Sequence, residues 1–198
     1  PEVNGDTRAA AFAQLQAIAD DLKGREVAPP AAFAAVLAKL RSPGARMALD
    51  VALHDLWAQA AGKPLVELLG RVHTELPTSV TIGIGDVAMT LRDAAEYVAR
   101  GFTVLKVKIG QDLGLDVERL VRLREQVGRG IALRVDGNLG YQPPQLLQLL
   151  RATHSLDLEF LEQPLPCDRI EAQRVLPPAI TAMLMADESL HGEADARS

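Results

Sequence analysis

The sequence predicts an α/β protein: a run of helices followed by part of a (β/α)8-type barrel. Three observations carry this. The first 75 residues read as helical throughout. From Thr78 onward, short apolar runs alternate with helical patterns, and the runs start about every 25 residues, the length of one βα unit. Strands alternating with helices imply a parallel sheet. The C-terminal ends of four successive runs also carry charged side chains, as the functional positions of a barrel do.

In the helical part, Asp6-Thr7 can cap a helix that runs to about Leu22, with Phe12, Leu15, Ile18, Ala19 and Leu22 near helical spacing. Pro29-Pro30 interrupts the pattern. A second helix is expected over 31–40, stopping before Pro43-Gly44. A third, over 44–61, carries Met47, Leu49, Leu53, Leu56 and Trp57 as a core stripe and stops at Gly62. Pro64 opens a last turn over 65–69. In the second part, strands are expected at 78–83, 103–109, 131–136, 157–162 and 182–187, and helices at 88–100, 114–127, 143–153 and 168–176. The expected domains are therefore 1–75 and 76–198.

With 48% hydrophobic and 24% charged residues, the chain can bury a sizeable core. Its net charge of −5, with acids and bases interspersed, argues against a nucleic-acid or anionic-membrane partner. The single cysteine, Cys167, allows no disulfide within one chain. There is no signal peptide and no apolar run of about 18 residues, so a cytoplasmic location is expected.

The stretch "TVLKVKIG" holds the first chemical signal. Side chains on a strand alternate faces, so Lys106 and Lys108 point the same way out of an apolar strand. The next strand ends at Asp136, the next at Glu162, the last at Asp187, in steps from Lys108 of 28, 26 and 25 residues. One acid at a strand end is usually a helix cap. Three in one register, following a lysine pair, would crowd around one barrel mouth and repel in low dielectric. A hard divalent cation resolves that repulsion. Oxygen ligands without Cys or His favour Mg²⁺ over zinc.

A doubly wound dinucleotide-binding sheet also fits the strand–helix alternation. Its glycine-rich turn is matched only weakly by "TIGIGDVAMT", which supplies Gly83 and Gly85 but no third glycine. His54, His73, His154 and His191 show no ligand spacing, and His54 reads as a packing residue. Cys167 has no base beside it.

The motifs "KVK", "VDGN", "EQP" and "ADES", in this order and spacing, resemble the enolase superfamily and its muconate-lactonizing branch. "ARMALDVALHDLWAQAAGKPLVELLG" resembles the segment leading from that family's α+β capping domain into its barrel. "TSVTIGI", "GFTVLKVKIG" and "MADESL" look most like dipeptide epimerases of the L-Ala-D/L-Glu type. The resemblance implies that 1–75 is the helical part of a capping domain and 76–198 the first part of the barrel. It implies Asp136, Glu162 and Asp187 as ligands of one Mg²⁺, Lys108 as acid/base with Lys106 beside it, and Asn138 and Glu188 as supporting polar groups. The reaction implied is removal of the proton α to a carboxylate through an enediolate, with a small carboxylate substrate such as a dipeptide. Lys108 needs a pKa well below the ~10.4 of model lysine, and the neighbouring charges of Lys106 and Mg²⁺ would lower it. Family members are commonly homo-oligomers.

The family pattern is partial. Five strands are counted where a barrel has eight. The family's second catalytic lysine, its C-terminal Asp-x-Asp motif and the first strands of its capping domain are absent. The chain is therefore expected to be the central portion of a longer isomerase, inactive by itself. A cycloisomerase, an o-succinylbenzoate synthase and a non-catalytic truncated remnant are the alternatives.

Overall fold

Thr7 starts the first helix by accepting a hydrogen bond from Ala10 N at 3.2 Å, the arrangement its β-region backbone favours at an N-cap. A computed structural model describes residues 6–26 and 30–197; Pro29, expected to interrupt the helical pattern, lies outside them. The chain divides into two units, Pro1–Glu75 and Leu76–Ser198.

The first unit contains α1 (Arg8–Leu22), a 3₁₀ turn (Pro30–Ala32), α2 (Phe33–Leu37), α3 (Pro43–Ala61) and α4 (Leu65–Leu68). Ile18, Leu40, Ala45 and Leu49 form its core. The second helix is shorter than expected. After Leu37 the backbone tightens into Lys39 N→Val36 O and Leu40 N→Leu37 O turns, which bring Leu40 into the core at 2% exposure. The start of α3 is held from outside the helix. Asp6 accepts from Ser42 Oγ (2.6 Å) and Gly44 N (2.8 Å), and Gln14 Oε1 accepts from Arg41 N and Ser42 N. Gly62, at φ 62°, ends α3 in the left-handed region where glycine is favoured. The α3 stripe is only partly core. Leu49 is buried, but Met47, Val51 and Leu56 are exposed; Met47 and Val51 form a second i,i+4 row that no helix among the described residues of this unit covers.

The second unit alternates strand and helix: β1 (Val80–Ile82), α5 (Val87–Ala99), β2 (Val104–Lys108), α6 (Leu113–Val127), β3 (Ala132–Asp136), α7 (Pro143–Thr153) and β4 (Leu158–Glu162). A 3₁₀ segment (Cys167–Val175), α8 (Pro178–Thr181), β5 (Leu184–Met185) and α9 (Glu193–Arg197) follow. All five strands are parallel, in the order β1-β2-β3-β4-β5. Each crossover steps the same way, as in a barrel; a doubly wound sheet would reverse direction. Leu105, Val107, Leu133, Val135 and Leu161 pack against Ala94, Leu120, Leu123, Leu146 and Leu149 of the helices. The alternate residues, including both lysines, are left to the other face.

Two elements differ from expectation. The segment after β4 is 3₁₀ rather than α. "CDRIEAQRV" offers too few apolar residues for an amphipathic face, and Pro166 and Pro177 bound it. The last strand has only two residues, so Asp187 falls beyond it.

Candidate active site

Lys108, Asp136 and Glu162 occupy one level of the sheet: Lys108 pairs with Asp136 and Asp136 with Glu162. Asp136 and Glu162 are buried, at 1% and 9% exposure, so each carboxylate requires a cation or donors. The Lys106 ammonium supplies both, lying 3.0 Å from Asp136 Oδ2 and 2.7 Å from Glu162 Oε2. Burial pulls the Lys106 pKa down, but the hydrogen bonds it donates to Glu162 and Asp136 outweigh it and hold the ammonium above its ordinary value. Lys108 Nζ stands 3.5 Å from Asp136 Oδ2 and donates to Asn138 Oδ1 at 2.8 Å. Asn138 N in turn donates to Asp136 Oδ1 (3.0 Å) from a backbone at φ 42°. One level below, a register shift makes Glu159 an extra residue in β4, and Glu159 takes a two-point ion pair from Arg134. A bulge re-aims a side chain in this way.

The loops above this level lie against one another. A Cβ on Gly110 (φ 112°) would strike Gly137 O, and one on Gly137 would stand 2.7 Å from Pro164 Cα. Only glycine allows the loops after β2, β3 and β4 to meet so closely. Gly137 N→Glu162 O and Leu139 N→Gln163 O carry the ladder past the strand ends.

Asp187 and Glu188 sit in the loop after β5. Among the described residues, no group of three or more His, Cys, Asp or Glu comes together as a metal-binding cluster. The expected three-acid convergence is thus two acids around an ammonium, with Asp187 exposed on the adjacent loop. The physical reason is local: two buried carboxylates take the nearest cation, which is Lys106. The donor set nonetheless fits a hard divalent ion. It is all oxygen, it sits at strand ends, and Glu188 Oε2 is buried with no hydrogen-bond partner in the same loop.

A buried network behind the site is absent from the sequence reading. Arg119, fully buried on α6, donates to Gly83 O (2.8 Å), Lys108 O (2.9 Å) and Thr90 Oγ1 (2.8 Å), and pairs with Asp116 at 3.3 Å. Asp116 Oδ2 accepts from Gly110 N and the Tyr141 hydroxyl. Burial, then the bond to Asp116, pushes the Tyr141 pKa up. The network joins the ends of β1 and β2 to the loop after β3. The available signal was Asp116 and Arg119, three apart, sharing a helix face with Leu120 and Leu123. His54 packs edge-on against Phe33 at 5.1 Å, and Cys167 is exposed.

Known proteins similar to this chain share one family and one fold. A family model described as "Enolase C-terminal domain-like" matches residues 89–198. The L-Lys-D/L-Arg epimerase of Methylococcus capsulatus is 54% identical over 155 residues, covering 78% of this chain and 44% of the relative. The L-Ala-D/L-Glu epimerase of Bacillus subtilis is 34% identical over 149 residues, covering 74% and 41%. The crystal structure of a dipeptide epimerase from Methylococcus capsulatus complexed with Mg and the dipeptide L-Arg-D-Lys superposes with a TM-score of 0.91 at 47% identity, over 99% of this chain and 56% of that one. The chain thus spans less than half the length of the curated relatives it matches.

Proposed function

We propose that this chain, which belongs to the enolase C-terminal domain-like family, is the central part of a Mg²⁺-dependent dipeptide epimerase. On this reading residues 1–75 are the helical part of a capping domain and 76–198 the first strands of the barrel. The observation that carries it is the single level shared by Lys108, Asp136 and Glu162, with Lys106 bridging the two acids.

Asp136, Glu162 and Asp187 would hold the ion. When bound, Mg²⁺ supplies Lewis-acid stabilisation of charge on the substrate carboxylate. Lys108 takes the α-proton at Nζ. Asn138 Oδ1 holds that nitrogen in place. Glu188 supports the polar mouth. Lys106 and Lys108 are the only lysines after residue 75, so this sequence supplies proton transfer on one face. Epimerisation also needs delivery on the opposite face, and that group comes from elsewhere in a longer protein.

We infer a cationic dipeptide as the substrate. Relatives at 54% and 48% identity are L-Lys-D/L-Arg epimerases, whereas L-Ala-D/L-Glu epimerases stand at 33–34%. Among the described residues no helix is long and apolar enough to cross a membrane. We infer further that the enzyme is a cytoplasmic homo-oligomer.

The test is a dipeptide panel in D₂O with the longer protein and Mg²⁺. α-Proton exchange on Lys- and Arg-containing dipeptides, faster than on L-Ala-L-Glu, is the expected result. Exchange on no dipeptide would sink the reading; preference for L-Ala-L-Glu would overturn its substrate part.

A further inference from the structure

The last strand cannot position Asp187. The ladder between β4 and β5 has two register pairs, Leu161 with Leu184 and Glu162 with Met185, and its final hydrogen bond is Gln163 N→Met185 O at 2.8 Å. Asp187 lies two residues further on. One side chain bridges the gap. Gln163, 1% exposed, has a φ of 32°, in the left-handed region that a non-glycine residue rarely adopts. Its Oε1 accepts three hydrogen bonds from the loop beyond β5: Asp187 N (3.0 Å), Ser189 N (3.2 Å) and Ser189 Oγ (2.7 Å). Its Nε2 is fixed by donation to Leu165 O at 2.9 Å, so the amide has one orientation and Oε1 faces the loop.

We propose that Gln163 is a positioning residue: its side-chain oxygen sets where Asp187 and Glu188 stand relative to its neighbour Glu162. A backbone strained at one residue persists when the surroundings hold it there, and here those surroundings are the loop that carries the third acid. Gln163 is not among the proposed ligands of the ion. It acts through the Asp187 and Ser189 amides, much as outer partners orient metal ligands. The proposal rests on the Mg²⁺ reading above.

The experiment measures Mg²⁺ affinity by titration calorimetry on the longer protein, with no substrate present. Gln163→Met keeps the length of the side chain and removes the acceptor. It is expected to weaken Mg²⁺ binding roughly 10- to 100-fold, the range for outer partners of metal ligands. Gln163→Glu keeps the acceptor oxygens and should retain more affinity than Gln163→Met. A purely structural role would lower the metal-free unfolding temperature and leave the affinity of the folded protein alone. Ser189→Ala removes one donor without disturbing the buried amide and should weaken binding in the same direction by less, which provides a test if Gln163→Met fails to fold. Unchanged affinity in a folded Gln163→Met, or in Ser189→Ala if the former does not fold, overturns the proposal. If wild type binds Mg²⁺ and Asp187→Asn weakens it, that failure is of the proposal alone. If wild type does not bind Mg²⁺, the metal reading itself fails and the proposal goes with it.

Discussion

The ammonium of Lys106 on β2 reaches across β3 to Glu162 on β4, at 2.7 Å, and on the way stands 3.0 Å from Asp136. One cation is therefore shared by two buried acids of neighbouring strands. Lys106→Met would leave them facing each other with only Lys108, 3.5 Å from Asp136, in reach. Without Mg²⁺ the variant should lose about 1–3 kcal/mol of stability, the cost of stranding buried acceptors. Added Mg²⁺ should restore more of that loss than it adds to wild type, because an ion that binds only the native state stabilises it by mass action. Thermal melts of both proteins with EDTA and with Mg²⁺ decide this; an equal loss in the two conditions counts against a shared site.

Asp136, Glu162 and Asp187 have different burial but one proposed role. Asp136→Asn, Glu162→Gln and Asp187→Asn should each weaken Mg²⁺ binding by more than roughly tenfold, the low end of what an outer partner of a ligand costs. Calorimetric titration of the three variants checks it. Unchanged affinity in all three would remove the metal site. Loss in the first two but not in Asp187→Asn would confine it to β3 and β4.

Asp6 gives a pH signature in the helical unit. The hydrogen bond from Ser42, then that from Gly44 N, hold its carboxyl below the usual range. A carboxyl whose pKa is lower folded than unfolded contributes stability above the unfolded value, ~3.9, and loses it as pH falls through the folded value. Asp6→Ala should therefore melt earlier than wild type at pH 7, and the gap should shrink progressively below about pH 4. A gap that stays constant into acid would mean that the carboxylate charge is irrelevant.

The strand-end acids were legible because register has a period of two and βα units recur at nearly constant length. Lys106, Lys108, Asp136 and Glu162 needed only those two regularities. Where Asp187 stands was less legible, since β5 is two residues long and the loop beyond it is placed by a side chain, not by a ladder. Arg119 was legible only as a charge, three residues from Asp116, on the apolar face of α6. A charged residue on an apolar helix face reads as a break in the pattern until its carbonyl partners on other strands are seen. The same holds for Leu40, buried by two tight turns rather than by helical spacing.

Helix α6 carries two buried arginines with opposite consequences. Arg119 grips the C-terminal ends of β1 and β2, next to Lys108. Arg124 donates to the carbonyls of Gly128, Ile131, Leu156 and Asp157, at the other end of the strands. In barrels that second end concerns stability rather than chemistry. Arg124→Ala should cost about 1–3 kcal/mol by leaving buried carbonyls unpaired, with Mg²⁺ affinity unchanged. Tyr141→Phe, which strips a donor from buried Asp116, should cost a similar amount and also slow exchange. Denaturant melts and exchange rates on the two variants separate the ends; a catalytic defect in folded Arg124→Ala would contradict the division.

On the proposed function, Lys108 is the residue on which the chemistry turns. Its nitrogen is the one amine at the mouth that is not locked between two carboxylates, and Asn138 holds it at 2.8 Å. A positioned general base contributes roughly 10²–10⁴-fold to proton transfer. Lys108→Ala in the longer protein should therefore lose α-deuterium exchange by about that factor when the reaction starts from one stereoisomer. If, as proposed, the opposite face has its own proton carrier, exchange from the other stereoisomer should survive to a greater extent. Asn138→Ala should reduce exchange less, since it loosens the base without removing it. NMR of α-deuteration from each stereoisomer resolves these outcomes. Full exchange from both in Lys108→Ala would mean that the base lies elsewhere.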